Sequence, residues 1–228
     1  MPRSTIRYVL FDLDNTLYPR SSGVLQRIDQ RIEAFLRERF PLPDDELREM
    51  RRGYWRKYGT TLGGLVAEHG LAPEEYLSYI HDVPIEEMLQ PDPALDRLLA
   101  EIPAPKGVFT NSIRSHAERV LRALGVTRHF GPIFDLEFMG LETKPQPNAF
   151  RAVLGALDLP PATCLFVDDT ANNVRTARQL GLRTVQVLDG GDDGNATLEG
   201  EFVIPRTHLL GEILMYFHFV NAEGSQAR

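Results

Sequence analysis

Disulfides, membrane spans and an excess of basic charge are all missing from this 228-residue chain, and each absence removes a class of answer. A single cysteine, Cys164, sits in an apolar run with nothing to pair with. That excludes a disulfide-stapled scaffold and makes a reducing cytoplasm the expected compartment. No apolar run approaches the roughly 18 residues a membrane span needs. The opening Met1–Arg7 also lacks the apolar core of a signal peptide. Lys and Arg number 25 against 32 Asp and Glu, a formal charge of −7. A field of that sign repels nucleic acid, and a small anionic substrate then needs a local cation. The six histidines show no ligand spacing, and no internal repeat is present. With 43% hydrophobic and 25% charged residues, the chain is long enough for one core domain plus a smaller insert, as a monomer or homodimer.

What is present gathers around Tyr8 to Tyr18, YVLFDLDNTLY. Tyr8, Val9, Leu10 and Phe11 run without a polar break, as a strand buried on both faces of a parallel sheet does. Asp12 and Asp14 follow at the carboxyl end of that strand, where open α/β sheets place their ligands. In extended chain, residues two apart point to the same side, so the two carboxylates are expected to face one spot. Like charges held that close are costly without a cation or a shared proton between them. Turn chemistry alone also favours Asp here. A calcium loop counted from Asp12 fails, because its sixth position is Leu17 and its twelfth Gly23.

Residues 19–92 read as all-helical. Val24, Ile28, Ile32, Phe35 and Leu36 make one apolar helix face, a charged helix runs from Asp44 to Lys57, and Pro73 opens another. Pro91-Asp92-Pro93 reads as a stiff connector and domain boundary. Beyond it the chain alternates strands and helices. Strands are expected at Gly107–Phe109, Ile133–Phe134, Cys164–Val167 and Thr184–Leu188. Ser115-His116-Ala117-Glu118 reads as a capping box, residues 189–200 and the last few residues as mobile, and Thr207–Phe219 as a closing helix. The expected fold is α/β, a doubly wound (Rossmann-like) parallel sheet core formed by residues 1–18 and 93–228, with an inserted all-helical cap at 19–92.

Three strands therefore end in polar groups on one sheet edge: Asp12 and Asp14, Thr110 and Asn111, and Asp168 and Asp169. Lys144 lies in a loop before a helix. Singly, each has an ordinary reading as a strand end, a surface charge or a helix N-cap. In this order they resemble the haloacid dehalogenase superfamily, whose pattern is DxDxT, hhhT/S, K, then DD or GDxxxD. The matching segments are Asp12-Leu13-Asp14-Asn15-Thr16, Val108-Phe109-Thr110-Asn111, Lys144, and Val167-Asp168-Asp169 with Asn172-Asn173. Within that superfamily, FDLDNTLY and the stretch from Tyr54 to Leu65 are most similar to the pyrimidine 5′-nucleotidase branch.

The resemblance implies Mg²⁺-dependent hydrolysis of a small phosphomonoester, with a pyrimidine nucleoside 5′-monophosphate as the first candidate. It implies Asp12 as nucleophile, carrying an aspartyl-phosphate and a metal oxygen. Asp14 would be the acid–base and a metal ligand through its carbonyl. Thr110, the Asn111 N–H and Lys144 would hold phosphoryl oxygens. Asp168 and Asp169 compete for the metal; alignment on Thr170 favours Asp169 as direct ligand, with Asp168 and Asn173 behind it. Halide displacement needs no proton, so Asp14 argues for phosphoryl chemistry over dehalogenation. Thr60, Thr61 and Arg114 are candidate substrate contacts, against plain readings as a helix N-cap and a surface charge. Tyr18 and the run Arg51, Arg52, Arg56 and Lys57 are further candidates. Sugar phosphates or phosphoglycolate as substrates, a mutase, and a phospho-acceptor that does not turn over remain alternatives.

Overall fold

A computed structural model describes residues 4–189 and 197–220. The chain opens with β1 (Ser4–Ile6) and β2 (Tyr8–Phe11). Four helices follow, α1 (Val24–Arg39), α2 (Asp44–Tyr58), α3 (Thr61–His69) and α4 (Pro73–Ile80), then the single turn α5 (Ile85–Met88) and α6 (Pro93–Glu101). The alternating part comprises β3 (Lys106–Phe109), α7 (Arg114–Ala123), β4 (Ile133–Phe134), α8 (Pro147–Leu157), β5 (Cys164–Asp168), α9 (Ala171–Gln179) and β6 (Arg183–Val187). It closes with β7 (Phe202–Ile204), a 3-10 stretch over Thr207–Tyr216 and β8 (Phe217–Phe219).

Six parallel strands lie in the order β4-β3-β2-β5-β6-β7, so the Tyr8–Phe11 strand is central. All four of its residues are buried, as an unbroken apolar run predicts. Beneath the central strands, Phe109, Phe150 and Phe166 meet edge to face or tilted, with ring centroids 5.0–5.7 Å apart. This is the α/β parallel-sheet fold expected from the sequence.

The chain divides into two compact units, Met1–Ser22 with Ile85–Arg228, and Gly23–Pro84. The second unit is entirely helical. Its α2 and α3 approach so closely that a Cβ on Gly64 would lie 2.1 Å from the Tyr54 ring, which requires glycine there. The break after residue 84 corrects the expected boundary at Pro91–Pro93. That segment begins α6 instead, with the Asp92 carboxylate accepting from the N–H groups of Ala94 and Leu95 at 3.0 Å.

Two further expectations give way, and three short strands appear that none anticipated. The predicted closing helix is a 3-10 stretch followed by β8, which pairs in parallel with β1 as a separate two-stranded sheet. The sequence reading missed both strands, because three-residue strands carry too little periodicity to register. The capping box is absent: α7 starts at Arg114, before Ser115, and its Arg114 N–H is held at 3.0 Å by the Asp135 carboxylate just past β4. β7 was also unforeseen. The Gln186 side chain pins the segment leading to it, accepting from the Glu199 N–H at 2.8 Å and donating to the Thr197 carbonyl at 3.1 Å. Of the stretch 189–200 and the last few residues, read from the sequence as mobile, residues 190–196 and 221–228 lie outside the described residues. Among the described residues no helix is long and apolar enough to cross a membrane.

Candidate active site at the carboxyl edge of the sheet

The turn after β2 explains its own residue spacing. The Asp12 N–H still pairs with the Val167 carbonyl at 2.8 Å, so the strand carries its carboxylate to the sheet edge before the chain bends. A helical turn follows, with the Leu17 N–H on the Leu13 carbonyl at 2.9 Å and Asn15 in the left-handed region at φ 61°. Asn tolerates that region better than most residues. Residues four apart then face each other. Thr16 Oγ1 donates to Asp12 Oδ2 at 2.9 Å, and the Tyr18 hydroxyl donates to Asp14 Oδ1 at 2.5 Å. Two interleaved acid–hydroxyl pairs thus come from one seven-residue stretch.

Those pairs also correct the expectation that both carboxylates face one spot. The bend turns Asp14 toward Ser112, whose Oγ donates to Oδ2 at 2.7 Å, and toward His116, whose Nε2 donates to Oδ1 at 2.8 Å. Burial alone would raise the Asp14 carboxyl. His116 first, then the Tyr18 and Ser112 hydroxyls, outweigh it and hold Asp14 well below the usual carboxylate range. Burial and the Asp14 charge push the Tyr18 hydroxyl well above its ordinary value, so it stays a donor.

Asp12 has different company. Lys144 Nζ donates to Asp12 Oδ1 at 2.6 Å, to Asp168 Oδ2 at 2.8 Å and to the Phe109 carbonyl at 2.6 Å. Only 1% of the Lys144 side chain is exposed, so this ion-paired cluster is desolvated. Burial alone would lower the Lys144 ammonium; Asp12 and Asp168 outweigh it and hold it up at about 12. Asp12 moves well above the ordinary value through burial, with Lys144 pulling it down and Asp168, Asp169 and Asp14 pushing it further up. Asp169 is likewise raised by burial and by Asp168, against the pull of Arg20, whose guanidinium lies 2.7 Å away. The Lys144 ammonium and the Arg20 guanidinium together still leave the three carboxylates one positive charge short.

Asp12, Asp168 and Asp169 place ligand oxygens within 4.8 Å of one another. An all-oxygen set of three carboxylates fits a hard divalent cation such as Mg²⁺, and such a cation would relieve the crowding that raises Asp12 and Asp169. The Asp14 carboxylate is not in that group. Asp168 is fully buried and also accepts from the Thr170 N–H at 2.7 Å and from Asn173 Nδ2 at 3.1 Å.

The remaining expected residues separate. Asn111 holds the Lys144 loop through both ends of its amide, Nδ2 to the Lys144 carbonyl at 3.0 Å and Oδ1 from the Lys144 N–H at 2.8 Å. Thr110 is buried, and its Oγ1 accepts from the Ser112 N–H at 3.0 Å. Arg114 donates to the Ile133 carbonyl at 2.8 Å, so it ties α7 to β4. In the helical unit, Thr60 Oγ1 caps α3 by accepting from the Gly63 N–H at 2.9 Å, and Thr61 is buried. Thr60 thus makes the bond that the plain helix-cap reading expects, while Thr61 is the first residue inside the helix. The basic run is paired within the same unit, Arg51 with Asp29, Arg52 and Arg56 with Glu49, and Lys57 with Glu68. His116 and Ser112 were missed as site residues. A lone histidine on a helix face gives no signal by spacing; only its place one turn into the helix after Thr110-Asn111 hinted at it.

The haloacid dehalogenase-like hydrolase family model matches residues 6–181, which carry every one of these sheet-edge groups. The chain belongs to the haloacid dehalogenase-like hydrolases. Phosphate metabolism protein 8 of Saccharomyces cerevisiae is 29% identical over 199 residues, covering 79% of this chain and 61% of its own length. The chain thus spans under two thirds of that relative. A phosphoglycolate phosphatase of Xylella fastidiosa is 26% identical over 213 residues, covering 90% of this chain and 91% of its own. Among solved structures, a phosphatase of the same family from Thermococcus onnurineus superposes with a TM-score of 0.64 at 19% identity, covering 93% of this chain and 99% of that chain. At that identity the likeness speaks for the fold.

Proposed function

We propose that this hydrolase cleaves a small phosphomonoester through an aspartyl-phosphate on Asp12, with Mg²⁺ as cofactor. The observation that carries the reading is the Lys144 ammonium, buried between Asp12 at 2.6 Å and Asp168 at 2.8 Å, beside a three-carboxylate group short of positive charge. A dianionic phosphate is repelled by a carboxylate nucleophile, and its uncatalysed hydrolysis is among the slowest known. Asp12, Asp168 and Asp169 would hold the cation, which when bound supplies electrostatic stabilisation of the phosphoryl oxygens.

The chain's own groups divide the remaining work. Lys144 and Thr16 orient the Asp12 carboxylate for in-line attack on phosphorus. Thr110, the Asn111 N–H and Lys144 stand as the phosphoryl-oxygen contacts. Asp14 gives a proton to the leaving oxygen as its bond to phosphorus breaks, then takes one from the water that attacks the phosphoenzyme. A substrate dianion nearby raises the proton affinity that His116, Tyr18 and Ser112 otherwise depress.

For the substrate, the stretch from Tyr54 to Leu65 supports a pyrimidine nucleoside 5′-monophosphate. Phosphoglycolate is the second reading, because relatives bearing that name cover nine tenths of both chains. Phosphate release from p-nitrophenyl phosphate with Mg²⁺ and with chelator tests the chemistry. Activity that persists in chelator, or in Asp12→Asn, would sink it. A labelled aspartyl-phosphate that forms without phosphate release would point to a phospho-acceptor, and transfer to added sugar to a mutase. A panel of uridine and cytidine 5′-monophosphates, sugar phosphates and phosphoglycolate decides the substrate.

A further inference from the structure

Asp14 is tethered more tightly than an acid–base carboxylate needs for charge balance alone. Its Oδ1 accepts from the Tyr18 hydroxyl at 2.5 Å and from His116 Nε2 at 2.8 Å, and its Oδ2 from Ser112 Oγ at 2.7 Å. The three donors come from separate pieces of chain: the turn after β2, the loop after β3 and the first turn of α7. All three are buried, with Tyr18 3%, Ser112 7% and His116 1% exposed. The His116 bond satisfies two buried polar groups at once, and because it comes from α7 it also holds the carboxylate from an element separate from the turn that carries it. An aspartate swings about two side-chain torsions, and each bond from a fixed element removes part of that freedom.

We propose that His116 is a positioning residue for the acid–base step: with Tyr18 and Ser112 it locks the Asp14 carboxylate in the orientation that serves the leaving oxygen and the incoming water. The inference rests on the phosphatase reading above. Asp14 loses its proton to the bridging oxygen as the phosphorus–oxygen bond breaks. It regains one from water as the water oxygen bonds to phosphorus and the bond from phosphorus to the Asp12 oxygen breaks, so phosphate leaves and both carboxyl groups end each cycle as they began. His116 touches neither the phosphate nor the water in this scheme and acts only through Asp14.

The test uses leaving groups that differ in their need for a proton. An alkyl alkoxide needs one; p-nitrophenolate departs without. We compare kcat/KM, which covers the steps through leaving-group departure, for p-nitrophenyl phosphate and for uridine 5′-monophosphate or phosphoglycolate, whichever the wild type turns over faster. His116→Ala is expected to lose about 100-fold on the alkyl ester, at the low end of what general acid catalysis contributes, and under about 5-fold on the aryl ester. His116→Gln, whose amide N–H reaches the same position, should recover about 10-fold of the alkyl-ester loss. Ser112→Ala, which removes one donor without opening a large cavity, should skew the two esters in the same direction by about 5-fold. It carries the test should His116→Ala fail to fold. Equal losses on both esters across these variants would overturn the inference while leaving an active phosphatase. Wild-type protein inactive on both esters would sink the phosphatase reading and the inference with it.

Discussion

The helical unit and the sheet edge make ion pairs of nearly the same length and opposite consequence. In the helical unit, Arg56 meets Glu49 at 2.7 Å and Lys57 meets Glu68 at 3.1 Å, with the Arg56 and Lys57 side chains 68% and 66% exposed. At the sheet edge, Lys144 meets Asp12 and Asp168 at 2.6 and 2.8 Å with 1% exposure. Coulomb attraction at one distance differs several-fold between water and a protein interior, and so does the cost of removing one partner. The three lysines make the contrast sharp. Lys57 is solvated, Lys106 is buried against the carbonyls of Ile102 and Ala104, and Lys144 is buried against two carboxylates. What sets Lys144 apart is burial between two carboxylates, and a pairing distance alone does not reveal it.

Lys144→Met puts the largest strain on this comparison. It strands Asp12 and Asp168 without their cation, and the expected loss is about 3–5 kcal/mol of stability by urea denaturation, together with phosphate release. A loss under about 1 kcal/mol would mean that the sheet edge behaves like the surface. Asp12→Asn sharpens the point from the other side. It should cost at least about 10³-fold in phosphate release, a typical penalty for a lost nucleophile. Its urea midpoint should nevertheless be no lower than the wild type's, because the folded site already opposes the Asp12 charge.

Lys106 supplies a pH test. Burial brings its ammonium down to about 8 from 10.5. The unfolded chain therefore holds the extra proton between those values, and stability should rise with pH across that window. Denaturation of wild type and Lys106→Met at pH 7 and pH 10 should show wild type gaining relative to the variant as pH rises; a constant gap would break the assignment. Thr60→Ala in the helical unit should cost about 1 kcal/mol as a lost N-cap. The smallest effects belong to Arg52→Ala and Arg56→Ala, each expected below about 1 kcal/mol because exposed pairs are screened and entropically costly to hold. Either one exceeding 2 kcal/mol would erase the distinction between the units.

Local chemistry was largely legible in the residues. The four apolar residues before Asp12 form a strand because nothing polar interrupts them, and Asp12-x-Asp14-x-Thr16-x-Tyr18 carries a four-residue spacing that pairs acid with hydroxyl once the turn forms. Less legible were features whose cause lies elsewhere in the chain. Ser115 looked like a cap, yet Asp135 performs that task from beyond β4. The strands β1 and β8 lie some 200 residues apart in sequence, and neither announces the other.

By itself, then, the sequence determined the parallel sheet, the edge at which acids and Lys144 collect, and the helical nature of the insert, because these follow from runs, periods and spacings within a dozen residues. Only the tertiary structure decided that Asp12 and Asp14 part company, one to Lys144 and one to His116, and that Thr61 is interior. The physical reason is that a side chain's orientation and the dielectric around it are set by neighbours from distant segments, which no local pattern specifies.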